Sequence, residues 1–156
     1  MPLSHSLNVG VAYYGKQDPK FWVPFSNMVA QLWRIDVDFR GTLATGSMMT
    51  DGNRNETVKA FLETGNEWLL WVDTDNDYTL GAVKRLLGTG KNLVSGVYFA
   101  HGKPYHPIAY MRLPNGRYRT LSEDDYRRGE ILEVDMAGQG FLLVNRRVYL
   151  DIEEQY

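Results

Sequence analysis

The sequence contains no cysteine, and its longest uninterrupted apolar runs, such as the one from Trp68 to Val72, are only five residues long. The first absence excludes disulfide bonds, cysteine-ligated zinc or iron–sulfur sites, and thiol nucleophiles. The second argues against a transmembrane helix, which needs about 20 consecutive apolar residues. Residues 1–11 also lack the basic run and apolar stretch of a signal peptide. We therefore expect a soluble, cytoplasmic protein without a membrane span.

The chain also has little excess charge of either sign, because 17 Lys and Arg residues oppose 19 Asp and Glu residues. The resulting net charge of −2 at pH 7 provides no basic field for the backbone of a nucleic acid, so we expect no nucleic-acid partner. Apolar residues make up 44% of the 156 positions, which favours one folded domain over a disordered chain.

Residues 1–100 alternate short strand-like runs with amphipathic helical segments. This alternation is typical of an α/β protein in which helices cover a parallel sheet. We expect Pro24 to break or kink the first helix just before its apolar stripe, because proline removes a helical hydrogen bond. The predicted strands cover 8–14, 38–44, 67–72 and 92–99, and the predicted helices begin near 18 and cover 55–64 and 79–87.

After residue 100 the pattern changes to that of an antiparallel hairpin. Strand-like runs over 106–113 and 117–121 flank Pro114-Asn115-Gly116, and Asn-Gly is a strong hairpin turn signal. Ser122 and Asp125 have the spacing of a capping box for one short helical turn. The remaining predicted elements are strands over 131–136 and 141–145 and a helix from Arg146. The C-terminal third is therefore expected to form a small antiparallel β extension.

Three carboxylates, Asp73, Asp75 and Asp77, follow the most apolar strand. That strand has the pattern of one buried on both faces, as in a parallel sheet, and ligands bind at the carboxyl ends of such strands. Carboxylates this close repel one another unless a proton or a hard cation intervenes. Oxygen ligands without His or Cys suit Mg²⁺, Mn²⁺ or Ca²⁺, which would bridge to phosphates. The alternative is an Asp-rich turn followed by a helix cap.

Two other interpretations of these carboxylates can be compared with the sequence. A calcium-binding EF-hand loop that starts at Asp73 needs Gly at its sixth position and Glu at its twelfth, where this chain has Tyr78 and Lys84. That interpretation fails. A phosphatase with Asp73 as nucleophile would want a hydroxyl or small apolar residue in place of Asp77, and usually places the motif on the first strand. It remains a weaker alternative.

Four motifs occur in order along the chain. They are Arg54-Asn55, Asp73-Thr74-Asp75, the segment 94–98 followed by Pro104 and Pro107, and Gly138-Gln139-Gly140-Phe141. Together they resemble the Arg-Asn pattern, the DxD motif, the Pro-containing extension and the Gly-x-Gly-Phe segment of GT-A-type glycosyltransferases. The resemblance covers roughly residues 8–150. It implies a Rossmann-like GT-A sheet flanked by helices.

The resemblance also implies a single domain over 1–156, with a nucleotide-binding half over 1–100 and an acceptor side over 101–156. The implied activity is metal-dependent, hexosyltransferase-like transfer of a sugar from a UDP- or GDP-sugar to a hydroxyl acceptor. The implied cofactor is Mn²⁺ or Mg²⁺. Neither the acceptor nor the stereochemical course follows from the motifs.

The resemblance assigns roles to individual residues. Asp75 would coordinate the metal, and Asp73 would contact the ribose or the metal shell. Arg54 would lie near the nucleotide, where its planar fork suits phosphate oxygens. Tyr13 and Tyr14 would lie beside the base. The acceptor side would be lined by Gly138, Gln139 and Gly140.

One expected part has no match in the sequence. GT-A relatives commonly carry an acidic motif, and often a metal-binding His, after the Gly-x-Gly-Phe segment. Here the acids in that region are Asp151, Glu153 and Glu154, none of which matches, so the catalytic base is not identified. His101 and His106 have no metal-ligand spacing and are expected to be solvent-exposed or hydrogen-bonded. We therefore expect either a compact or truncated transferase or a non-catalytic module that binds a nucleotide or sugar nucleotide.

Overall fold

A mixed α/β fold with two sheets is found in the computed structural model, which describes residues 5–13, 19–35, 37–46, 50–76, 78–79, 81–127 and 129–153. The strands are β1 (His5–Tyr13), β2 (Val37–Gly46), β3 (Trp68–Val72), β4 (Leu93–Ser95), β5 (Ala109–Arg112), β6 (Tyr118–Thr120), β7 (Met136–Ala137) and β8 (Phe141–Asn145). The helices are α1 (Pro19–Leu32), α2 (Thr50–Thr64), α3 (Ala82–Gly88) and α4 (Arg146–Glu153). Among the residues described, no helix is both long and apolar enough to cross a membrane.

The larger sheet has the strand order β2-β1-β3-β8-β4. β1 is parallel to β2 and β3, whereas β8 is antiparallel to both β3 and β4. The strands within residues 1–100 are therefore parallel to one another, as predicted, but the prediction that the strand over 141–145 belongs to the small C-terminal extension is wrong, because β8 lies in the larger sheet. The physical reason is that the chain returns from the smaller sheet to the edge where β3 ends. Because Phe141 then pairs with Val72, β8 can only run back against β3.

The core lies on both faces of the larger sheet. All five residues of β3 are buried, as their uninterrupted apolar run predicts. Leu70 faces the side covered by α1 and α3, where the core includes Phe21, Met28 and Val83. The other face packs against α2 and α4 through Leu69, Trp71, Phe61, Val144 and Tyr149.

Three helices differ from their predictions, and one of them is α3, which begins at Ala82 instead of residue 79. α1 continues through Pro24 without a break. The missing amide removes one hydrogen bond near the start of the helix, while the apolar stripe that follows keeps its contacts with the sheet. α2 begins at Thr50 instead of residue 55, with Asp51 in its first turn, where a negative charge favours the helix dipole. Arg54 therefore lies inside α2 and not at its start.

The C-terminal third contains the expected small antiparallel sheet, with strand order β6-β5-β7. The turn at Pro114-Asn115-Gly116 joins β5 to β6, and Gly116 has a φ of 80°, which glycine adopts without strain. The capping box of Ser122 and Asp125 is also present around a short 3₁₀ turn. β7 is only two residues long and pairs with β5, so the strand predicted over 131–136 is mostly extended chain outside the sheet.

Candidate functional site

The candidate site lies at the edge of the larger sheet where the parallel strands β1, β3 and β4 end. The backbone amide of Asp73, the first residue after β3, donates to the carbonyl of Gly140 at 2.9 Å. The side-chain amide of Asn76 donates to the same carbonyl at 3.3 Å. These bonds hold the Asp-rich loop against the glycine segment before β8. Two regions that are 64 residues apart in sequence thereby meet at one point.

Asp73 is paired with a cation from α2. Nη2 of Arg54 donates to Oδ1 of Asp73 at 3.1 Å, and both side chains are about one-quarter to one-third exposed. Burial raises the pKa of Asp73, Arg54 opposes this rise, and the nearby charge of Asp75 adds to it. Nε of Arg54, the guanidinium nitrogen closest to the main chain, is buried without a hydrogen-bond partner. The pair therefore combines a guanidinium that has an unpartnered nitrogen with a carboxylate whose negative charge is disfavoured by burial.

Asp75 is more exposed than Asp73 and faces a histidine. Nε2 of His101 lies 3.2 Å from Oδ2 of Asp75, with side-chain exposures of 78% and 63%. From the sequence, His101 is predicted only to be solvent-exposed or hydrogen-bonded, without a connection to the carboxylates. Only its position in the chain could have connected His101 to the carboxylates, because His101 follows β4 and Asp75 follows β3. The carboxyl ends of parallel strands lie at the same edge of a sheet.

The glycine segment is fitted tightly around this site. The amide of Gly140 donates to the hydroxyl of Tyr98 at 2.9 Å. A Cβ atom at Gly140 would lie 2.6 Å from Nδ2 of Asn76, 2.9 Å from Oδ2 of Asp73 and 3.0 Å from Cζ of Tyr98. A Cβ atom at Gly138 would overlap the Tyr98 hydroxyl. Both glycines therefore allow the loop to approach side chains that a larger residue would displace.

Tyr98 is a site residue that the predicted set does not include. Burial raises the pKa of its phenol, the bond from the Gly140 amide lowers it, and the charge of Asp73 raises it again. The phenol therefore stays protonated near neutral pH and accepts a hydrogen bond while its own proton remains available to donate. The approach of Tyr98 to the glycine segment is a tertiary contact that no local sequence pattern predicts.

Tyr13 ends β1 on the other side of β3. Its ring packs over Gly46, where any Cβ atom would overlap it, and its carbonyl accepts a hydrogen bond from Asn53 at 3.2 Å. Because Asn53 precedes Arg54 on α2, the end of β1 borders the same helical turn as the ion pair. Tyr14 and Asp77 lie outside the described residues. Gln139 is half-buried between the two glycines.

The structure thus brings most of the predicted site residues to one edge of the sheet. Arg54, Asp73 and Gly140 make direct contacts, and Asp75 is close enough to affect the pKa of Asp73. Within the described part of the chain, however, no three Asp, Glu or His side chains are grouped so that they could hold a metal ion by themselves. A divalent cation at this edge remains a prediction.

No family model matches the sequence, and no curated protein is similar to it. Among solved structures, the chain is similar to the crystal structure of A197 from STIV, with a TM-score of 0.51 and 18% sequence identity. The similarity covers 92% of this chain and 65% of that chain. At this identity the likeness supports the mixed α/β fold alone.

Proposed function

We propose that this chain binds a nucleoside diphosphate sugar at the edge described above and transfers the sugar to a hydroxyl acceptor. One observation carries the proposal. The Arg54 guanidinium, the Asp73 and Asp75 carboxylates and the Gly138–Gly140 segment come from separate parts of the sequence and meet where the parallel strands end. This is the edge at which open α/β sheets bind ligands. The GT-A-like motif order supplies the chemical interpretation.

Arg54 is the residue we assign to the phosphates of the donor. It uses Nη2 to bind Asp73, and its buried Nε has no partner. The Arg54 side chain is about one-quarter exposed, and the planar fork of a guanidinium suits phosphate oxygens. Asp73 holds the guanidinium in place, so its role is to position Arg54 as well as to face the ligand.

The donor set at this edge fits a cation that shares its ligands with a substrate. Asp73 and Asp75 supply carboxylate oxygens, and burial together with like charge disfavours ionised Asp73 unless a positive charge is near. Mg²⁺ is commonly held by one or two carboxylates, with the other positions filled by phosphate oxygens and water. When bound, Mn²⁺ or Mg²⁺ would neutralise negative charge on the departing diphosphate.

The remaining site residues shape the two ends of the ligand. Gly138 and Gly140 let the loop on the acceptor side approach neighbouring side chains closely, because a Cβ atom at Gly138 would overlap Tyr98 and one at Gly140 would crowd Asp73. We assign the acceptor hydroxyl to this side, together with Gln139. Tyr13 would border the base, since its strand ends next to the helical turn that carries Arg54.

A second candidate function, a non-catalytic module that binds the nucleotide or sugar nucleotide, is favoured by the position of the later acids. Asp151 and Glu153 lie exposed on α4, and Asp151 pairs at 3.9 Å with Arg147 on the same helix. α4 begins at the opposite edge of the sheet, where the amide of Arg146 donates to the carbonyl of Glu67 at 2.8 Å. Neither described acid has the placement of a catalytic base for this edge.

Calorimetric titration of UDP and GDP in the presence and absence of Mn²⁺ tests the proposal. We expect Asp75→Asn to weaken Mn²⁺-dependent nucleotide binding by at least about tenfold, because it removes a charged ligand. The matched control is Asp151→Asn, since the side chains of Asp75 and Asp151 are 63% and 60% exposed. Equal affinity in the two variants would contradict the assignment of Asp75.

A sugar-nucleotide hydrolysis or transfer assay separates the two candidate functions. Metal-dependent binding with turnover supports the transferase, and binding without turnover supports the module. Turnover of a generic phosphate ester that is lost in Asp73→Asn would instead support the phosphatase alternative. Failure of any metal-dependent nucleotide binding would overturn both candidate functions.

A further inference from the structure

A separate cavity of about 250 Å³ opens next to the Asp73 site, between α3 and the residues that follow β4. It shares Asn76 and Tyr98 with that site, but neither Arg54 nor Asp73 lines it. Its other lining residues are Tyr78, Thr79, Ala82, Arg85, Leu86, Gly96, Val97 and Phe141. Residues of two sequence motifs, the segment 94–98 and Phe141, border this cavity, but none of the roles assigned to individual site residues concerns it.

Two aromatic rings contribute to the lining of the cavity. The rings of Tyr78 and Phe141 lie with their centroids 5.3 Å apart and their planes tilted by 37°. The Tyr78 hydroxyl donates to the backbone carbonyl of Asp73, which fixes this ring relative to the neighbouring site. Phe141 is fixed from the other side, because a Cβ atom at Gly96 would come within 2.5 Å of its Cδ1. Aromatic rings fixed in this way pack well against the C–H face of a ring-shaped ligand.

Arg85 adds a positive charge to the lining of the cavity. Nη2 of Arg85 donates to the hydroxyl of Thr79 at 3.2 Å, which orients the guanidinium toward the cavity lining. Among the ion pairs of the described residues, none involves Arg85. Its other donors are therefore available for an anionic ligand, while Asn76 and the Tyr98 hydroxyl offer neutral hydrogen bonds.

The volume restricts the size of the ligand. Pockets for drug-sized molecules span roughly 300–1,000 Å³, so a cavity of about 250 Å³ suits a single ring with its substituents. We propose that this cavity binds a single sugar ring that carries a carboxylate, with the ring against Tyr78 and Phe141 and the carboxylate on Arg85. The inference rests on the proposed function, because such a ring would be either the acceptor or the sugar of the donor.

Binding of glucuronate and glucose to the intact chain, measured by NMR titration, tests this proposal. We expect glucuronate to bind about tenfold more tightly than glucose, because a charged hydrogen bond is added. Arg85→Gln should abolish the preference. Lys84→Gln is the matched control, because Lys84 is an exposed residue of the same helix that loses the same charge but does not line the cavity. It should retain the preference.

The two sources of the ring are distinguished by adding UDP-glucuronate and UDP-glucose with Mn²⁺. A preference for free glucuronate identifies an acidic acceptor, and a preference that occurs only with the sugar nucleotide identifies an acidic donor sugar. Equal binding of the acidic and neutral rings in both forms, or a preference unchanged by Arg85→Gln, would overturn the proposal. Titration of UDP alone with Mn²⁺ reports on the proposed function independently, since UDP lacks the transferred sugar and carries no carboxylate.

Discussion

Two of the Asp–Arg pairs in the chain, Asp73 with Arg54 and Asp125 with Arg119, have carboxylates with opposite properties. Asp125 accepts two bonds from Arg119, at 2.6 and 2.7 Å, and two more from the amide and hydroxyl of Ser122. These hydrogen bonds, led by those from Arg119, hold the pKa of Asp125 well below its usual range. Asp73 accepts one bond at 3.1 Å from Arg54, and burial raises its pKa.

This difference distinguishes an ion pair that only stabilises the fold from one that has groups left to bind a ligand. The Asp125 carboxylate has a complete set of partners that closes a capping box and links β6 to the turn after it. The Asp73 carboxylate has one side-chain partner, a second carboxylate nearby and an arginine with an unpartnered nitrogen. A cation and phosphates would complete the second arrangement, whereas the first has no remaining role for them.

The largest stability effect is expected where the chain packs most tightly around Asp73. Gly140→Ala would place a methyl group 2.6 Å from Asn76 and 2.9 Å from Asp73, so the free energy of unfolding should fall by about 1–3 kcal/mol. The same variant should weaken metal-dependent nucleotide binding because it displaces the Asp73 carboxylate. Urea unfolding followed by titration of UDP with Mn²⁺ measures both effects.

Gly88→Ala is the control for this substitution. Gly88 is the last residue of α3, with nothing within 4 Å of an added Cβ atom, so alanine should leave stability unchanged or raise it by up to about 1 kcal/mol. If Gly140→Ala proved as stable as Gly88→Ala, the tight packing of the glycine segment would be disproved.

Replacing each aspartate by asparagine should change stability in opposite directions at pH 7. Asp73 has a raised pKa in the folded state. Its favourable contribution to folding stability is therefore complete below about pH 3.8, the usual pKa of the group, and is lost as the pH rises through the raised value. Asp125 has a lowered pKa, so its contribution exists above about 3.8 and is lost as the pH falls through the lowered value. Asp73→Asn should therefore stabilise the metal-free chain, and Asp125→Asn should destabilise it.

Urea unfolding with EDTA at pH 7 and at pH 3 measures these changes. At pH 3 the difference for Asp73→Asn should largely vanish, because that carboxyl group is then mostly protonated in both the folded and the unfolded chain. The difference for Asp125→Asn should shrink only in part, because its lowered pKa keeps Asp125 ionised in the folded chain. A loss of stability at pH 7 in Asp73→Asn as large as that in Asp125→Asn would show that the two pairs are equivalent.

The smallest effect is expected for Tyr98→Phe. This variant removes the acceptor for the Gly140 amide and keeps the ring, so unfolding should become easier by about 0.5–1.5 kcal/mol. Tyr118→Phe is a suitable control because Tyr118 is 49% exposed on the smaller sheet. Equal stability of the two variants would show that the hydroxyl bond contributes little to the site.

Much of the fold and part of the site could be predicted because their signals are local. The apolar run of β3 predicts a strand buried on both faces, and the Asn-Gly turn predicts the hairpin of β5 and β6. Asp73 and Asp75 could be assigned to a sheet edge because they directly follow that strand. The position of Arg54 beside Asp73 agrees with the expectation of a phosphate-binding role but does not test it.

The remaining features depend on contacts that no local pattern encodes. The insertion of β8 between β3 and β4 depends on where the chain returns from the smaller sheet. His101 meets Asp75 across 26 positions, and Tyr98 meets Gly140 across 42. The continuity of α1 through Pro24 depends on its packing against the sheet, which offsets the lost hydrogen bond.

We expect the Asp73 site to bind a nucleoside diphosphate through a divalent cation. Calorimetric titration of UDP into the unsubstituted chain, with Mn²⁺ and again with excess EDTA, tests it most directly. We predict saturable binding with Mn²⁺ that disappears with EDTA and is restored when the metal is added back. Identical heats in the two conditions, with neither UDP nor GDP bound, would contradict the claim.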